Sequence, residues 1–576
     1  MDPPELAGNK RIAGIFFEVA DLLEIKGIQF KPAAYRRAAH TIESLTEDIS
    51  EIAEGKRLEE IPGVGTHLAA KITEILETGS LSYLERMRKD IPEGLRELAG
   101  IEGIGPKKAL VLGRELGITS IEKLKEAAEA GLIRSLPGFG EKSEQNIIQS
   151  IQTHKVAGAR FLLGEILPVA EEIKNQLAGL REVRHISLAG SIRRRKETIG
   201  DVDILAASSQ PERVMAAFCS LPGVDRILGK GPTKSSIVLS TGIQVDLRVV
   251  EERQYWAALQ YFTGSKDHNI ALRKRALERK WRLNEYGVTD LLTEKPLVGT
   301  DERDVYRMLG LPFIEPELRE NRGEIEAAES GNLPEIVPYD AVKGDLHIHT
   351  TGSDGSHSVA DMAAAAQEIG YEYIAICDHA YSKRFARGMS AEKIADQRKQ
   401  IETVNRERNG IEALAGIECS IMADGKLDVI DSALKDFDIV IASVHSDLKM
   451  SPAEMTRRVL TALHNEHVNI LGHPTGRIIL KREPEKLDLD AIFTTAAEQG
   501  VFLEVNGYPS RLDLSDVNCR KAHQHGARFS LGSDAHSRGD LRNMEYGTAT
   551  ARRGWLEAKE IINTLPAADL RRALER

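Results

Sequence analysis

Two carboxylates spaced two apart carry the clearest chemical signature. Asp201 and Asp203 open the run DVDIL (201–205). On an extended strand that spacing sends both side chains to one face. Acids held so close repel unless a divalent cation lies between them, and magnesium favours such oxygen ligands together with substrate phosphates. Asp246, inside the apolar, β-branched run IQVDLRVV (243–250), supplies a third acid for a neighbouring strand. A lone Asp-x-Asp is usually a turn or surface pair, but here it follows ISLAGS (186–191), an apolar run ending in a Gly-Ser turn. Two cations held by three acids suit in-line phosphoryl displacement, because the attacking and leaving oxygens are both stabilised.

A second constellation is rich in histidine. Eleven of the 16 histidines follow residue 342. His347 and His349 alternate on a strand, so their rings share a side. Asp354, His379, Glu418, His445, His473, Asp534 and His536 lie within or just beyond the C-terminal ends of other apolar runs. A single such histidine is usually a satisfied core residue; nine ligand-type residues at strand ends suffice for three metals, and the mixed imidazole–carboxylate set suits manganese, zinc or iron.

A third signal lies near the N-terminus. Ile61-Pro62-Gly63-Val64-Gly65, Ile101-Glu102-Gly103-Ile104-Gly105 and Leu136-Pro137-Gly138-Phe139-Gly140 share one pattern, and each precedes a helical stretch. A Gly-x-Gly hairpin at a helix N-terminus points backbone N–H groups outward, where they and the helix dipole hold a phosphate without reading bases.

The elements that must position these groups follow from pattern. With 576 residues, 41% hydrophobic and 29% charged, the chain is a multidomain globular protein. It has no apolar run long enough to span a membrane, and MDPPELAGNK lacks a signal core. Four scattered cysteines without CxxC spacing fit a reduced cytoplasm, not a disulfide scaffold. Residues 1–314 balance 45 bases against 45 acids, 315–342 hold 8 acids and 2 bases, and 343–576 hold 35 acids and 30 bases. The acidic stretch ends in prolines and glycines and reads as a linker. Beyond it, seven apolar runs (344–350, 373–379, 413–419, 439–445, 469–474, 501–507, 528–536) alternate with helical intervals. That predicts a parallel β/α barrel with catalytic groups on its C-terminal face.

Four resemblances sharpen this picture. The Gly-x-Gly segments resemble helix-hairpin-helix motifs, which grip the DNA backbone. With KPAAYRRAA (31–39), the first resembles the lyase domain of DNA polymerase beta, which implies 5′-phosphate contacts at Lys31 and Tyr35 and a Schiff-base lysine at Lys71. GS…GDVDIL…VDLRV followed by YFTGSKDHNIALRKRALERKWRLNEYGV (261–288) resembles the palm and thumb of that polymerase's family X. The resemblance implies catalytic acids at Asp201, Asp203 and Asp246, triphosphate contacts at Ser191, Arg194 and Gly200, the nucleotide-site turn at Tyr261, Phe262 and Gly264, and minor-groove contacts at Asn269 and Arg273. It also implies an arginine near the acids at Arg248. Lys266 and Ile199 depart from the pattern, which leaves nucleotide affinity and selectivity open. HIHTTGSDG, CDH, GIE, SVH, GHP and SDAH resemble the PHP phosphoesterases. That resemblance implies one metal on His347, His349, Glu418 and Asp534, a second on Glu418, His445 and His473, and a third on Asp354, His379 and His536, all serving phosphoester hydrolysis. His357 and Asp378 stay unassigned.

The expected architecture is multidomain α/β: a lyase-like helical domain (1–90), fingers with two hairpins (91–155), a nucleotidyltransferase palm (156–255), a thumb (256–315), an acidic linker (316–342) and a distorted seven-stranded PHP barrel (343–576). Together the parts resemble a bacterial family X DNA polymerase. This implies short-gap filling with two magnesium or manganese ions, and a manganese-, zinc- or iron-dependent 3′–5′ exonuclease, with 3′-phosphatase or abasic-site endonuclease activity as further options. Gapped or nicked duplex DNA and dNTPs are the expected partners, with no membrane, for a cytoplasmic, nucleoid-associated monomer. Other readings are an end-cleaning phosphoesterase whose polymerase half mainly binds gapped DNA, a non-enzymatic DNA scaffold, and a metabolic phosphate hydrolase explaining the C-terminal half alone.

Overall fold

The computed structural model describes residues 9–43, 45, 49–91, 93–99, 104–141, 143–145, 147, 160–297, 299–380, 390–407 and 410–575. Two compact units emerge: residues 1–160 with 223–230 and 236–244, and residues 161–222 with 231–235 and 245–576.

The first unit is mainly helical. In the helix Thr66–Thr78 the inward residues Ala69, Ile72 and Ile75 recur every third position, and Gly79 ends it in a left-handed cap. These residues join Phe16, Val19, Ala38 and Ile42 of the helices Asn9–Ile25 and Lys31–Glu43 in one core. A separate core under the helices Gly105–Leu116 and Ile121–Glu129 gathers Ala109, Leu112, Leu124 and Ile133.

The stretch expected to form the palm contains β1 (Phe161–Leu162), β2 (Val183–Ala189), β3 (Thr198–Ile199), β4 (Asp201–Ser208), β5 (Val224–Lys230), β6 (Lys234–Leu239) and β7 (Gln244–Val250). β1 pairs with β3, and the main sheet runs β2-β4-β7-β6-β5. The thumb has the helices Tyr255–Thr263 and Lys266–Glu278 and an antiparallel sheet of β8 (Trp281–Asn284), β9 (Gly287–Asp290) and β10 (Pro296–Leu297).

The C-terminal strands are β11 (Gly344–Ile348), β12 (Tyr373–Ile376), β13 (Glu412–Ser420), β14 (Ile439–Ser443), β15 (Ile470–Leu471), β16 (Phe502–Asn506) and β17 (Phe529–Gly532). They pair in sequence order, all parallel. Ile348 bridges to Ala535 just past β17, so the barrel is nearly closed. The residues of β11, β12, β14 and β16 are all buried, as expected when side chains fill a barrel and helices cover it.

The stretch 316–342 is a packed strap instead of the exposed tether its acidity suggested. Leu318, Ile325, Ala328 and Ile336 join the thumb core, and Val337 joins the barrel core. Three of its acids meet distant partners. Glu317 takes Arg552 Nε at 2.7 Å, Glu320 takes Arg194 Nε at 3.0 Å, and Glu324 takes His268 Nδ1 at 2.6 Å. Composition counts charges but cannot see those partners.

Candidate active sites

Burial alternates along β7: Val245, Leu247 and Val249 point inward, while Asp246 and Arg248 face the open side. On β4 Val202 and Ile204 point inward, leaving Asp201 and Asp203 on the other face. Asp203 stands opposite Ala189 across the antiparallel β2–β4 pair. Gly190 follows with φ +59, and a Cβ there would run into the Asp203 carboxylate, so this turn requires glycine. Asp203, Asp246, Lys234, Arg248 and Phe262 line one pocket. Burial pushes Asp203 up to about 7, aided by the charges of Asp201 and Asp246 and opposed by Lys234 and Arg194. Three converging carboxylates, one driven toward its protonated form, fit magnesium or manganese.

Ser191 lies in the single helical turn Gly190–Arg193. Arg194 follows, with Nη1 donating to the carbonyl of Thr263 as Nε meets Glu320. Gly200 stands half-buried between β3 and β4. The Tyr261 and Phe262 rings meet edge to face at 5.2 Å, and Arg248 lies over Phe262 at 4.5 Å. Gly264 has φ +69, and its peptide bond to Ser265 is cis. Asn269 is 7% exposed; its Oδ1 accepts from Gln260 Nε2 at 2.9 Å and its Nδ2 donates to the Tyr261 carbonyl at 2.6 Å. Arg273 Nε bonds the Asn269 carbonyl at 3.3 Å. A minor-groove contact at Asn269 therefore requires an exchange of partners.

In the first unit Gly63, Gly105 and Gly138 have positive φ, while Gly65 is extended at the N-terminus of its helix and Gly140 leaves open space for a Cβ. Gly103 lies outside the described residues. Lys31 is exposed, whereas Tyr35 is in the core with its ring 5.4 Å from Phe16. Lys71 is half-buried, its ammonium 4.4 Å from the centre of the Tyr83 ring.

In the barrel the nine ligand-type residues converge. His347 Nε2 lies 3.1 Å from His349 Nε2 and 3.5 Å from Glu418 Oε2; His349 Nε2 lies 3.2 Å from Asp534 Oδ1. Glu418 also meets His379 Nδ1 at 2.9 Å, His445 Nε2 at 3.2 Å and His473 Nε2 at 3.1 Å. Asp354 meets His379 Nε2 at 3.7 Å and His536 Nε2 at 3.5 Å. Three groups have ligand atoms close enough to share an ion: His347, His349 and Asp534; His379, Glu418 and His445; and His349, Asp354, His379 and His536. His379 thus stands between two groups. His473 falls outside these groups, although it touches Glu418.

The electrostatics suit cations. Burial opposes charge on Glu418, but His379, His445 and His347 outweigh it and hold the carboxyl well below its ordinary range. Burial likewise disfavours the His347 cation, yet Glu504, Glu418 and Asp534 hold the ring well above its usual value. Among the described residues, the buried His349 Nδ1 and His473 Nδ1 have no hydrogen-bond partner. Two imidazole nitrogens facing each other at 3.1 Å beside carboxylates fit a shared cation better than a hydrogen bond between rings.

Sequence reasoning missed several residues. Glu504, on β16, takes His347 Nδ1 at 2.6 Å and the backbone N–H of His473, so it can orient two ligands at once. Its signal was an acid inside the apolar run VFLEVNG. Asp378, left unassigned, accepts from Thr350, Ser353 and Gln397 and braces the loop leading to Asp354. His357 donates no ligand atom to the three groups, though its carbonyl accepts from Thr351 N–H at 3.0 Å. Lys234 Nζ pairs with Asp246 at 2.8 Å, which nothing in GPTKSS announced.

Comparison with known proteins matches four regions of the chain to known families. Residues 7–81 match a helix-hairpin-helix domain, 95–153 a SAM-like helix-hairpin-helix tandem, 258–320 the DNA polymerase beta thumb and 345–507 the PHP domain. The chain is 38% identical over 571 residues to a Bacillus subtilis (strain 168) protein named DNA polymerase/3′-5′ exonuclease PolX, covering 99% of each chain. It is 28% identical over 232 residues to a probable phosphatase of Thermoanaerobacter sp. (strain X514), covering 38% of this chain and 89% of that one. Among the described residues no helix is long and apolar enough to cross a membrane.

Proposed function

This chain belongs to the bacterial family X DNA polymerases, and from that premise we propose that it fills short gaps in duplex DNA and trims 3′ ends at a second, metal-dependent site. Support for both halves comes from one observation: two ligand sets converge in one chain, three acids in the palm and nine ligand-type residues in the barrel. The hairpin glycines hold DNA by its phosphates. Asp201, Asp203 and Asp246 would hold the divalent ions, and Asp246 would stand nearest the primer 3′-hydroxyl, whose proton it can accept. Ser191, Arg194 and the Gly200 backbone hold the triphosphate; Tyr261, Phe262 and Gly264 shape the floor beneath the nucleotide; Asn269 and Arg273 hold its minor-groove edge. In the barrel, His347, His349, Asp534 and Glu418 would hold one metal, Glu418, His445 and His473 a second, and Asp354, His379 and His536 a third, with the His349 and His379 rings lying between neighbouring groups. When bound, the metals at both sites supply charge neutralisation at phosphoryl oxygens, and those in the barrel an activated hydroxide. Lys31 would meet a 5′-phosphate, with Lys71 as the amine for 5′-deoxyribose phosphate removal, whereas Tyr35, expected beside Lys31, is buried against Phe16. The setting is the cytoplasm, at the nucleoid.

A one-nucleotide gapped duplex with a 5′-phosphate and a labelled primer, given manganese with or without dNTPs, tests the proposal. Extension by one nucleotide with dNTPs and shortening without them is the expected result. Shortening alone would reduce the palm to a binding platform.

A further inference from the structure

The barrel helix Met544–Arg553 ends against the palm. Arg553 Nη1 donates to the carbonyl of Arg194 at 2.6 Å and to Glu320 Oε1 at 3.0 Å. Arg553 Nε and Nη2 lie 3.1 and 2.8 Å from Asp516 Oδ2, which also takes Arg322 Nη1 at 3.0 Å. The Glu320 oxygen that Arg553 holds is the same one that meets Arg194 Nε. One buried carboxylate oxygen is therefore shared by two guanidiniums, one from the palm and one from the barrel. Burial opposes the ionised form of Glu320, but Arg194, Lys196, Arg553 and Arg322 outweigh it and keep the carboxyl far below its ordinary range.

A triphosphate and Glu320 compete for the same group, because a guanidinium fork matches both carboxylate and phosphate oxygens. Arg194 already spends Nε on Glu320 and Nη1 on the Thr263 carbonyl. To grip a phosphate with both prongs of its Nε–Nη2 edge it must let Glu320 go. A buried carboxylate abandoned by its partners is costly, so the exchange needs a second cation that stays on that oxygen. Arg553 is in place to do so and is itself held by Asp516. It also anchors the backbone of the residue whose side chain must turn.

We infer that Arg553 of the barrel is a positioning residue for nucleotide transfer in the palm, fixing the Arg194 backbone and retaining the Glu320 carboxylate when Arg194 exchanges it for the triphosphate of an incoming nucleotide. This rests on the polymerase reading above and deepens it. Glu320 is a resident competitor of the nucleotide, and the C-terminal domain sets part of the nucleotide affinity.

Steady-state single-nucleotide insertion on gapped duplex by the full chain tests the inference through KM and kcat separately. R553A is expected to raise the dNTP KM by about tenfold with kcat changed much less, and R553K to recover part of that loss because a lysine can still meet Glu320. E320Q removes the competitor's charge at equal size and is expected to lower the dNTP KM by roughly threefold or more. A merely structural role for Glu320 predicts no gain. Should R553A fail to fold, as read by thermal unfolding, E320Q decides alone. An unchanged KM in E320Q, or in a folded R553A, overturns the inference while leaving the polymerase reading intact. Absence of insertion by the unaltered chain would instead remove that reading, and the inference with it.

Discussion

The palm and the barrel both gather acids at strand ends, yet they manage the repulsion in opposite ways. In the palm three carboxylates sit on two neighbouring strands, and the cost falls on Asp203, pushed up to about 7 by burial and by its fellow acids. In the barrel each carboxylate is set among imidazoles drawn from other strands, and Glu418 and Asp534 stay well below their ordinary range despite burial. A site built of one ligand type along adjacent strands is strained until a cation arrives. A site built by alternating acids and bases around a ring is already neutralised by protons, which a cation must displace.

The sharpest way to break this comparison is to remove one site at a time. D201A or D203A should lower nucleotide insertion by on the order of a thousandfold and leave 3′ shortening within about twofold. H347A/H349A should reverse the pattern. A folded variant that loses both activities would defeat the idea of two independent sites; labelled-primer gels read both.

Smaller changes sharpen it. In G190A the new methyl group meets the Asp203 carboxylate at a backbone φ of +59, so insertion should fall by about a hundredfold with the fold retained. Circular dichroism alongside insertion rates separates the two effects. E504Q weakens the carboxylate that orients His347 and His473. Metal affinity of the barrel should drop by about 10–100-fold, with hydrolysis restored by excess manganese and insertion untouched. Metal titration of EDTA-stripped protein would show it.

The smallest effect concerns pH. Asp203 has a folded value of about 7 against an ordinary 3.8. Between those values the folded chain keeps a proton that the unfolded chain has lost. Its contribution to stability therefore falls as pH rises from about 4 to about 7 and is level beyond. In EDTA, the advantage of D203N over the unaltered chain in urea midpoint should grow through that window and then stop growing. A pH-independent difference would mean that Asp203 is not under the strain its neighbours impose.

What could be read in advance was whatever depends on short spacing. Asp201 and Asp203 two apart, the alternation that turns Asp246 outward, and the seven apolar runs all follow from strand geometry, and each run coincides with one strand of the barrel. Glu504 escaped because a lone acid in an apolar run looks like an interruption until its partner, His347, is known to lie opposite. Tyr35 sits in a run of basic residues, yet its ring belongs to a core that forms only once the helices Asn9–Ile25 and Lys31–Glu43 pack. The strap was misjudged for a related reason. Three of its acids are spoken for by Arg194, His268 and Arg552, residues from 56 to 235 positions away on no visible period, counting from Glu320, Glu324 and Glu317.

The barrel strands pair in order, so the first and the last meet only at the seam where Ile348 bridges to Ala535. His347 and His349 stand on one lip of that seam, Asp534 and His536 on the other. During synthesis the palm acids can meet while the ribosome is still translating the barrel, because domains fold as they emerge. The hydrolytic pocket has no such head start. Until the final strand leaves the ribosome, Asp534 and His536 are missing from that pocket, so a nascent chain would acquire the means to extend DNA before the means to cut it back.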